Sequence, residues 1–365
     1  MQICKFEKGL NLLVHICCSV DSHYFLRKLR EICNEPIIGY FYDPNIHPYS
    51  EFLLRYEDVK QSCKELGIKL YLGEYDFESW LDGAKGLENE PEKGKRCEFC
   101  FDFRMRSTAV FAKKMNEKKI TTTLLMSPKK SHSQLVCSLE KICKDENLEF
   151  IAPDFRKNGG TNEQFSLAKK GKLYHQNFCG CLYALSKQRE NSHTYELMNS
   201  IDKQILPNSI EEKLKFYKKV HKLKNKGIKF EILRDKFMNY RLLSGVVKFD
   251  GVAVKSYIFH NSHFKRKYIK FINLEFTNSL FLDKDEIKFI NLEFFNKFAK
   301  KSYKNMDEVL KNPPSLKCQE KVRKKIGISG GFSPIILVEK IPACRVEILA
   351  NSDLYLDVRE ILVII

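Results

Sequence analysis

Strand-like and helix-like segments alternate through the first half of the chain, and this alternation limits the fold more than any other feature. The strand-like segments are "LNLLVHICC", "PIIGYFYDP", "IKLYLGEYD", "KITTTLLMSP" and "EFIAPDF". Each is followed by a segment with helical periodicity, which is typical of a doubly wound α/β sheet with parallel strands. Ligands of such sheets bind outside the carboxyl ends of the strands. We therefore expect one edge of the sheet to collect the residues that follow these strands, namely Cys17, Asp43, Ser127 and Asp154.

The pattern changes near residue 200, where the segment "NSIDKQILPNS" has the character of a linker. We expect two domains, residues 1–200 and residues 201–365. The second begins with a helix-like segment and continues with many short β-like segments, which predicts a small β-rich α+β or barrel-like domain. The octapeptide "IKFINLEF" occurs at 269–276 and again at 287–294, and this repeat is compatible with two equivalent strands. Two copies are too few for a solenoid.

The formal net charge of +17 is concentrated in the second half of the chain. Residues 201–365 carry 33 Lys and Arg against 19 Asp and Glu, whereas residues 1–200 carry 30 against 27. Such an excess favours a polyanionic partner, nucleic acid before membrane. A lysine-rich surface that reflects overall composition explains the charge equally well.

No apolar run approaches the roughly 18 residues that a membrane span requires. The first residues, "MQICKFEKGLNLLVHICC", lack the uninterrupted apolar core and the small-residue cleavage site of a signal peptide. We therefore expect a cytoplasmic protein with no membrane partner. Thiols stay reduced in the cytoplasm, so the 13 cysteines are expected to be ligands, catalysts or small buried side chains.

Six of the cysteines come in three close pairs, which are Cys17–Cys18, Cys97–Cys100 and Cys179–Cys181. Each pair can offer two sulfurs to a soft metal, but the pairs are about 80 residues apart, so only the fold can unite them. Six thiolates exceed the needs of one zinc, which favours an iron–sulfur cluster with a second metal. Zinc alone and a redox dithiol remain alternatives. Asp21 is close enough in sequence to join the ligands, and Gly180 allows a tight turn between two of them.

The segment that follows the second strand-like segment offers further polar side chains. In "FYDPNIHPYSEFLLR", Asp43, Asn45 and His47 are candidates for substrate contacts, although turn capping explains them as well. Glu51 and Arg55 are four residues apart, so a surface ion pair on a helix explains them without a function.

The segment "TTTLLMSPKKS" leads from a strand towards a helix, and its Ser127, Lys129 and Lys130 could hold a phosphate. The alternative is an ordinary helix start with solvated lysines. Arg156 in "DFRKNGG" is another possible contact for a polyanion. His15 faces the same side of its strand as Cys17, but we expect a core histidine with satisfied hydrogen bonds and not a ligand.

Six segments together resemble the QueH family of epoxyqueuosine reductases. They are "LLVHICC", "FYDPNIHPYSEF", "EPEKGKRCEFCFDFRMRSTA", "TTTLLMSPKKS", "DFRKNGG" and "LYHQNFCGC". Their order and spacing agree with the family over about residues 10–190. The chain departs from the family pattern at one point. Many members read "CCAPC" where this chain reads "CCSVD", so that Asp21 stands in place of a third cysteine.

The resemblance implies a Rossmann-like domain of the PP-loop or HUP type that carries a 4Fe–4S cluster and an adjacent iron. It implies that four of the paired cysteines hold the cluster, and that the other two, with Asp21, hold the iron. The implied reaction is the last step of queuosine synthesis in tRNA, in which a cobalamin-independent oxidoreductase removes the epoxide oxygen of epoxyqueuosine at the wobble position. An iron with an open position could polarise that oxygen as a Lewis acid.

The resemblance also assigns roles to individual residues. Asp21, Asp43 and His47 are the implied catalytic residues, and Tyr42 and His175 are further candidate proton donors. From the residue types themselves, the expected substrate-binding residues are Tyr42, Asn45, Ser127, Lys129, Lys130 and Arg156. A ferredoxin or a flavodoxin-type carrier is the expected electron donor. We expect the basic residues 201–365 to bind the tRNA backbone; a dimerisation or partner-docking domain is the alternative.

Two other functions compete with this interpretation. A PP-loop-like tRNA-modifying enzyme would need a glycine-rich phosphate loop after the first strand, where this chain has "CCSVDS". A zinc-binding RNA protein without reductase activity would use the same cysteines. The sequence contains no GxGxxG, Walker lysine, HExxH or GxSxG motif, so dinucleotide chemistry and hydrolase triads have no support.

Overall fold

The computed structural model divides the chain into two compact units. The residues that the structure describes are 11–176, 178–188, 194–272, 280–299, 302–327, 330–341 and 343–365. The first unit contains the described residues up to Leu197 together with Ile210–Ile232 and Leu362–Ile365. The second unit contains Met198–Ser209 and Leu233–Ile361.

The first unit is built on a parallel sheet of five strands in the order β3-β2-β1-β4-β5. The strands are β1 (Leu12–Ile16), β2 (Ile37–Phe41), β3 (Lys69–Leu72), β4 (Lys119–Thr122) and β5 (Glu149–Phe150). β1, β2 and β4 are buried along their whole length, which explains why β1 reads "LLVHI" without polar alternation. The predicted α/β class is confirmed. The strand order reverses between β1 and β4, and ligands of such sheets bind outside that point.

Eight helices surround this sheet in the described part of the first unit. They are α1 (Ser19–Ile32), α2 (Tyr49–Glu65), α3 (Phe77–Gly83), α4 (Lys95–Lys114), α5 (His132–Glu146), α6 (Gly160–Lys170), α7 (Leu182–Gln188) and α8 (Ile210–Asn225). α1 packs against α2 and α6, whereas α4 packs against α3 and α5. A 3₁₀ turn, Thr123–Met126, follows β4 directly.

Helix α8 packs in the first unit, although the sequence analysis placed it in the second half of the chain. Its Tyr217 and Val220 are buried in one apolar cluster with Leu54 of α2. His221 Nε2 lies 2.8 Å from Asp58 Oδ1, which fixes α8 to α2 by a buried polar contact as well. The first unit is therefore extended by a helix that lies beyond the predicted linker.

The second unit contains two four-stranded sheets, with the orders β7-β6-β13-β9 and β10-β11-β12-β8. The strands are β6 (Phe230–Phe249), β7 (Val252–Ala253), β8 (Ser256–Ile258), β9 (Tyr268–Phe271), β10 (Phe281–Lys284), β11 (Ile287–Asn291), β12 (Ile335–Val338) and β13 (Val346–Ile364). The helices are α9 (Leu292–Phe298), α10 (Met306–Lys311) and α11 (Leu316–Lys325). The β-rich α+β character predicted for the second half is confirmed.

The two copies of "IKFINLEF" do not form equivalent strands. The first begins in β9, at the edge of one sheet, and the second begins in β11, inside the other sheet. Most of "NLEF" in the second copy is helical in α9, whereas residues 273–276 of the first copy lie outside the described residues. The expected equivalence of the two strands was wrong because a short apolar segment does not determine which strands it pairs with. Within the described residues, no helix is both long enough and apolar enough to cross a membrane.

Candidate metal centre

The first pair of cysteines follows β1 at the carboxyl edge of the sheet. Cys17 and Cys18 are buried, and the extended backbone of Cys18 leads into α1. Their Sγ atoms are 3.9 Å apart, and Cys17 Sγ lies 3.8 Å from Oδ2 of Asp21 in the first turn of α1. The three donor atoms all lie within 4.8 Å of one another. These side chains therefore form a compact set of two sulfurs and one oxygen that a metal ion can bind.

The second and third pairs lie at the starts of two other helices. Cys97 and Cys100 are three residues apart in the first turns of α4, so both lie on one face of that helix. Cys181 directly precedes α7, and Cys179 lies two residues earlier. Cys100, Cys179 and Cys181 pack in one cluster around the buried Trp80. The fold thus brings Cys100 together with the third pair, from which it is about 80 residues away in the sequence, whereas Cys97 packs against the core of the sheet.

Gly180 lies between the two cysteines of the third pair. Both its backbone conformation and the atoms around it favour glycine over any residue with a side chain. Its φ is +96°, a region that residues with a Cβ rarely adopt. A Cβ at this position would lie 2.9 Å from Ile46 Cγ1 and 3.3 Å from the Arg55 guanidinium. The expectation of a tight turn between two ligands agrees with this geometry.

Glu51 and Arg55 are buried, which corrects the expectation of a surface ion pair. Arg55 Nε donates a hydrogen bond to Glu51 Oε1 at 2.7 Å. The two Nη groups of Arg55 donate to the carbonyl oxygens of Phe178 at 3.2 Å and Cys179 at 3.1 Å. Tyr174 donates its hydroxyl proton to Glu51 Oε2 at 2.9 Å. Spacing predicts which helix face two residues share, but it does not predict whether another segment covers that face.

Lys130 is also buried, so the alternative of a solvated lysine is wrong at this position. Its Nζ donates to Cys179 Sγ at 3.1 Å. Burial raises the pKa of Cys179, but Lys130, Arg104 and Arg55 outweigh that effect and lower it to about 7. By contrast, burial raises the pKa of Cys100 to about 11. The cations therefore favour the thiolate form of Cys179 near neutral pH.

A cavity of about 110 Å³ connects the first and third pairs. Its polar lining residues are Cys17, Cys18, Asp21, Asp43, Arg55, Arg104, Ser127, Lys129, Lys130, His175, Gln176 and Cys179. Most of them come from the segments that follow β1, β2 and β4 and from the loop before α7, and α2 and α4 contribute Arg55 and Arg104. The cavity therefore lies where the strand order predicts a ligand site.

Asp43 is fully buried and faces this cavity. Arg104 Nη2 lies 3.0 Å from Asp43 Oδ1, but its angle is too poor for a hydrogen bond, and neither carboxylate oxygen accepts one within the described residues. Arg104 instead donates to Asn45 Oδ1. Burial raises the pKa of Asp43 to about 7, against the lowering influence of Arg104 and Arg55. Asp43 is consequently a carboxyl group that is partly protonated at neutral pH.

Asp21 is held by a residue from another helix. Gln164 of α6 donates to Asp21 Oδ1 at 2.5 Å, which leaves Oδ2 directed towards Cys17. Burial raises the pKa of Asp21 to about 6, and hydrogen bonds from Cys18 and Gln164 oppose the rise. A carboxylate that is fixed through one oxygen presents the other in a defined direction, as supported metal ligands do.

The donor set fits an iron–sulfur centre. Cys17, Cys18 and Asp21 form one group of possible metal ligands, and Cys100, Cys179 and Cys181 pack together around Trp80, which gives more donors than one tetrahedral zinc uses. Lys130, Arg55 and Arg104 are buried against these donors. Buried cations need anionic partners, and thiolates that bind a metal provide them.

Comparison with known proteins identifies the family. The family model described as "Epoxyqueuosine reductase QueH" matches residues 12–187. "Epoxyqueuosine reductase QueH" from Helicobacter pylori is 39% identical over 346 residues, which cover 90% of this chain and 94% of that protein. This chain belongs to the QueH family. The relative of the same name from Haemophilus influenzae is 36% identical over 185 residues, or 50% of this chain and 75% of that protein.

The QueH family model and the Helicobacter pylori relative cover different lengths of this chain. The family model ends at residue 187, so it contains all three cysteine pairs but not α8 or the second unit. The Helicobacter pylori relative extends over both units. A solved structure, U34-tRNA thiolase NcsA from Methanococcus maripaludis with its 4Fe–4S cluster, is 16% identical, covers 59% of this chain and 74% of that one, and has a TM-score of 0.33.

Some of the substrate-binding and proton-donor candidates in this QueH chain line the cavity and others do not. Asp43, Ser127, Lys129, Lys130 and His175 line it. The remaining candidates, Tyr42, Asn45, His47 and Arg156, are not part of the lining. The roles of all these residues stay predictions.

The residues outside the lining hold neighbouring loops. The His47 backbone N–H donates to the Gly180 carbonyl at 3.0 Å. Arg156 pairs with Asp154 at 3.1 Å, and its Nη1 donates to the carbonyl oxygens of Ser127 at 3.3 Å and Lys130 at 3.0 Å. Asp154 was expected at the shared edge, but it is turned into this ion pair and not into the cavity.

His15 is a core histidine, as expected. Its Nε2 lies 2.9 Å from the Tyr42 carbonyl, and Nδ1 lies 2.8 Å from Thr122 Oγ1. Burial, together with Arg104, lowers the pKa of His15 to about 3, so the ring is neutral. Nε2 therefore donates to the carbonyl and Nδ1 accepts from the threonine.

Sequence reasoning missed Arg104 and Gln164 as parts of this site. Arg104 had a usable signal, because it is four residues after Cys100 and hence lies on the same face of α4. Gln164 had no such signal, because α6 approaches Asp21 only through the tertiary packing of α1 against α6.

Proposed function

We propose that this chain is an epoxyqueuosine reductase that acts on tRNA in the cytoplasm. The reaction breaks both C–O bonds of the epoxide, forms an alkene and releases water, and it consumes two electrons and two protons. Membership of the QueH family supports this activity. The observation that carries the proposal is the convergence of distant cysteine pairs beside one cavity that also contains a buried carboxyl group.

In this proposal, Cys97, Cys100, Cys179 and Cys181 hold a 4Fe–4S cluster, and Cys17, Cys18 and Asp21 hold an adjacent iron. The short distances among the last three support that division, as does the separate packing of Cys100, Cys179 and Cys181 around Trp80. When bound, a thiolate-held cluster supplies electrons singly and an adjacent iron acts as a Lewis acid. The reduction then needs no cobalamin.

The residues of the chain supply charge balance, orientation and a proton. Lys130 and Arg104 compensate the negative charge of the thiolates, and Arg55 fixes the backbone of the third pair. Asp43 faces the cavity with a pKa of about 7, so it can give a proton to the departing oxygen and regain one afterwards. His47 and Tyr42 lie outside the cavity lining, which leaves Asp43 and His175 as the candidate donors that line it.

The cavity suits a small ring at the end of a larger substrate. At about 110 Å³, it is well below the roughly 300–1,000 Å³ of pockets that enclose a whole drug-sized ligand. We infer that the cyclopentane ring enters while the rest of the tRNA stays outside. Ser127 and Lys129 in the lining are suitable for contacts with the nucleotide, and the basic second half of the chain suits the backbone. A ferredoxin or a flavodoxin-type carrier is the proposed source of electrons.

The test is anaerobic reduction of tRNA that carries epoxyqueuosine, followed by mass analysis of its nucleosides. The reconstituted protein should convert epoxyqueuosine to queuosine, and the variants Cys97→Ala and Cys181→Ala should not. Retained turnover in either variant would contradict the ligand assignment. A colourless protein that contains zinc after anaerobic preparation, without turnover, would support the zinc-binding RNA protein instead.

A further inference from the structure

A groove between α2 and α8 in the first unit carries an excess of lysine that the proposed chemistry does not use. It encloses about 770 Å³ and is lined by five exposed lysines, which are Lys60, Lys64, Lys218, Lys222 and Lys226. Glu57 is the one carboxylate in the lining among the described residues. The groove lies wholly within the first unit.

Lys218, Lys222 and Lys226 form a row along one face of α8 and the turn that follows it. In the described part of the chain, none of their ammonium groups has an ion pair or a hydrogen bond. Residues at this spacing are neighbours on a helix, so three like charges repel one another and lower the stability of the helix. A glutamate three or four residues from a lysine would offset this repulsion by an ion pair, but the row contains none. A polyanion in the groove would remove the repulsion.

Side-chain hydrogen bonds join α2 and α8 along the floor of the groove. Gln61 and Asn225 exchange side-chain hydrogen bonds at 3.3 and 3.2 Å, and Lys64 Nζ donates to Asn225 Oδ1 at 3.0 Å. Below them, the buried contact of His221 with Asp58 holds α8 against α2. The positions of the lysine Cα atoms are therefore fixed before any ligand arrives, which lowers the entropic cost of binding.

The groove is connected to the catalytic cavity by helix α2. Arg55 of α2 lines the cavity, and Lys64 follows nine residues later, about 14 Å farther along the helix axis at 1.5 Å per residue and, at 3.6 residues per turn, on the opposite side of the helix. A small substrate could not reach both places. A polymer could, because one of its bases can enter the cavity while its backbone passes around α2 to the groove.

We propose that this groove binds the sugar–phosphate backbone of the tRNA whose modified base enters the cavity. The inference rests on the proposed function for the identity of the RNA. Lysines one helical turn apart, about 6 Å along the axis, match successive phosphates of a strand as a row of point charges. Tyr56, with Lys60 Nζ 5.9 Å from its ring centre, adds an aromatic surface. An acidic protein is the less suitable partner, because lysine is depleted at protein–protein interfaces.

The test compares two triple variants that remove the same charge. The groove variant is Lys218→Gln, Lys222→Gln, Lys226→Gln. The control is Lys114→Gln, Lys144→Gln, Lys169→Gln, three exposed lysines on α4, α5 and α6 of the same unit. Binding of an unmodified tRNA transcript is measured at several salt concentrations. Three lost phosphate contacts should reduce the slope of log K against log salt by about 2 to 3 in the groove variant only.

A second measurement uses the wild-type protein and so does not depend on the folding of a variant. Acetylation of lysine amines by a water-soluble ester should slow at Lys218, Lys222 and Lys226 when the transcript is present, and should not slow at Lys114, Lys144 or Lys169. Equal salt slopes for the two variants, or no protection of the groove lysines, overturn the proposal.

The outcomes separate this inference from the proposed function. If the groove variant binds the transcript normally but accepts electrons slowly from a protein carrier and at the normal rate from dithionite, the groove docks an acidic carrier and the RNA proposal is wrong. Reductase activity with dithionite at saturating tRNA tests the proposed function by itself. A chain without that activity can still bind RNA in the groove, and an active chain can bind RNA elsewhere.

Discussion

Arg55 of α2 donates a hydrogen bond from Nη1 to the backbone carbonyl of Cys179 at 3.1 Å. Its second Nη group bonds the Phe178 carbonyl, and its Nε bonds the buried Glu51. A helix that begins at the carboxyl edge of the sheet thus fixes the main chain of the third cysteine pair. A metal ligand must stay within a fraction of an ångström of its productive position. The packing of α2 therefore determines where the third cysteine pair can bind a metal.

Replacing Arg55 with Gln should destabilise the metal-free protein strongly. The change leaves the Glu51 carboxylate buried without a cation, and breaking a buried ion pair costs about 3–5 kcal/mol. Urea unfolding of the reduced, metal-free chain measures this cost. Lys28→Gln is the matched control, since it breaks an exposed ion pair with Glu31 and should cost less than about 1 kcal/mol. Similar costs for both variants would contradict the burial of the Arg55 pair.

Gly180→Ala should prevent assembly of the metal centre. Alanine is strained at a φ of +96°, and its Cβ would collide with Ile46 and press on the Arg55 guanidinium. Gly86→Ala is the control, since Gly86 also has a positive φ, +81°, but has no atom within 4 Å of the added Cβ. Both variants should lose about 1–3 kcal/mol of stability from backbone strain. Iron and sulfide content after anaerobic reconstitution should fall only in Gly180→Ala, and equal retention by both would refute this account of the turn.

The rate of epoxide reduction should fall as the pH rises through about 7. Burial raises the pKa of Asp43 to about 7, so the protonated form that donates the proton disappears above that value. Asp43→Asn should lower the rate by about a hundredfold to ten-thousandfold and abolish this pH dependence while iron content stays unchanged. Asp154→Asn changes a carboxylate outside the cavity lining and should leave the profile intact. A wild-type profile in Asp43→Asn would exclude Asp43 as the proton source.

Lys130→Gln should raise the pKa of Cys179 in the metal-free protein. The ammonium group, 3.1 Å from Cys179 Sγ, helps to bring the pKa of that thiol down to about 7. Alkylation of Cys179 by iodoacetamide, followed by peptide mass analysis at a series of pH values, reports the thiolate fraction. The midpoint should lie near pH 7 in the wild type and move upward in Lys130→Gln. Lys129→Gln should leave it in place, and a shift of equal size there would attribute the effect to general surface charge.

The sequence was sufficient to predict the sheet, and it singles out a set of candidate metal ligands whose role stays a prediction. The alternation of apolar strands and amphipathic helices predicts a parallel sheet by itself, because strands covered on both faces must be apolar throughout. The pairing of the cysteines predicts a metal centre, because soft donors in groups have few other uses in a reduced compartment. Neither inference requires knowledge of which helix packs against which.

The residues that the sequence did not predict depend on long-range packing. The spacing of Glu51 and Arg55 is the same in a surface pair and in a buried one, and only the approach of the loop before α7 decides between them. Helix α8 lies beyond a linker-like segment, yet the cluster around Tyr217 and the contact of His221 with Asp58 place it in the first unit. Arg156 has the positive charge that binds phosphate, but its guanidinium group already pairs with Asp154 and donates to two loop carbonyls.

Iron and inorganic sulfide, counted per chain after anaerobic reconstitution, test the central claim most directly. A 4Fe–4S cluster with one adjacent iron predicts about five iron atoms and about four sulfides per wild-type chain. Cys17→Ala should lose about one iron and keep its sulfide, whereas Cys100→Ala should lose nearly all of the sulfide. A wild-type chain that binds zinc without sulfide, or a Cys100→Ala chain with undiminished sulfide, would contradict the assembly of the three cysteine pairs into one iron centre.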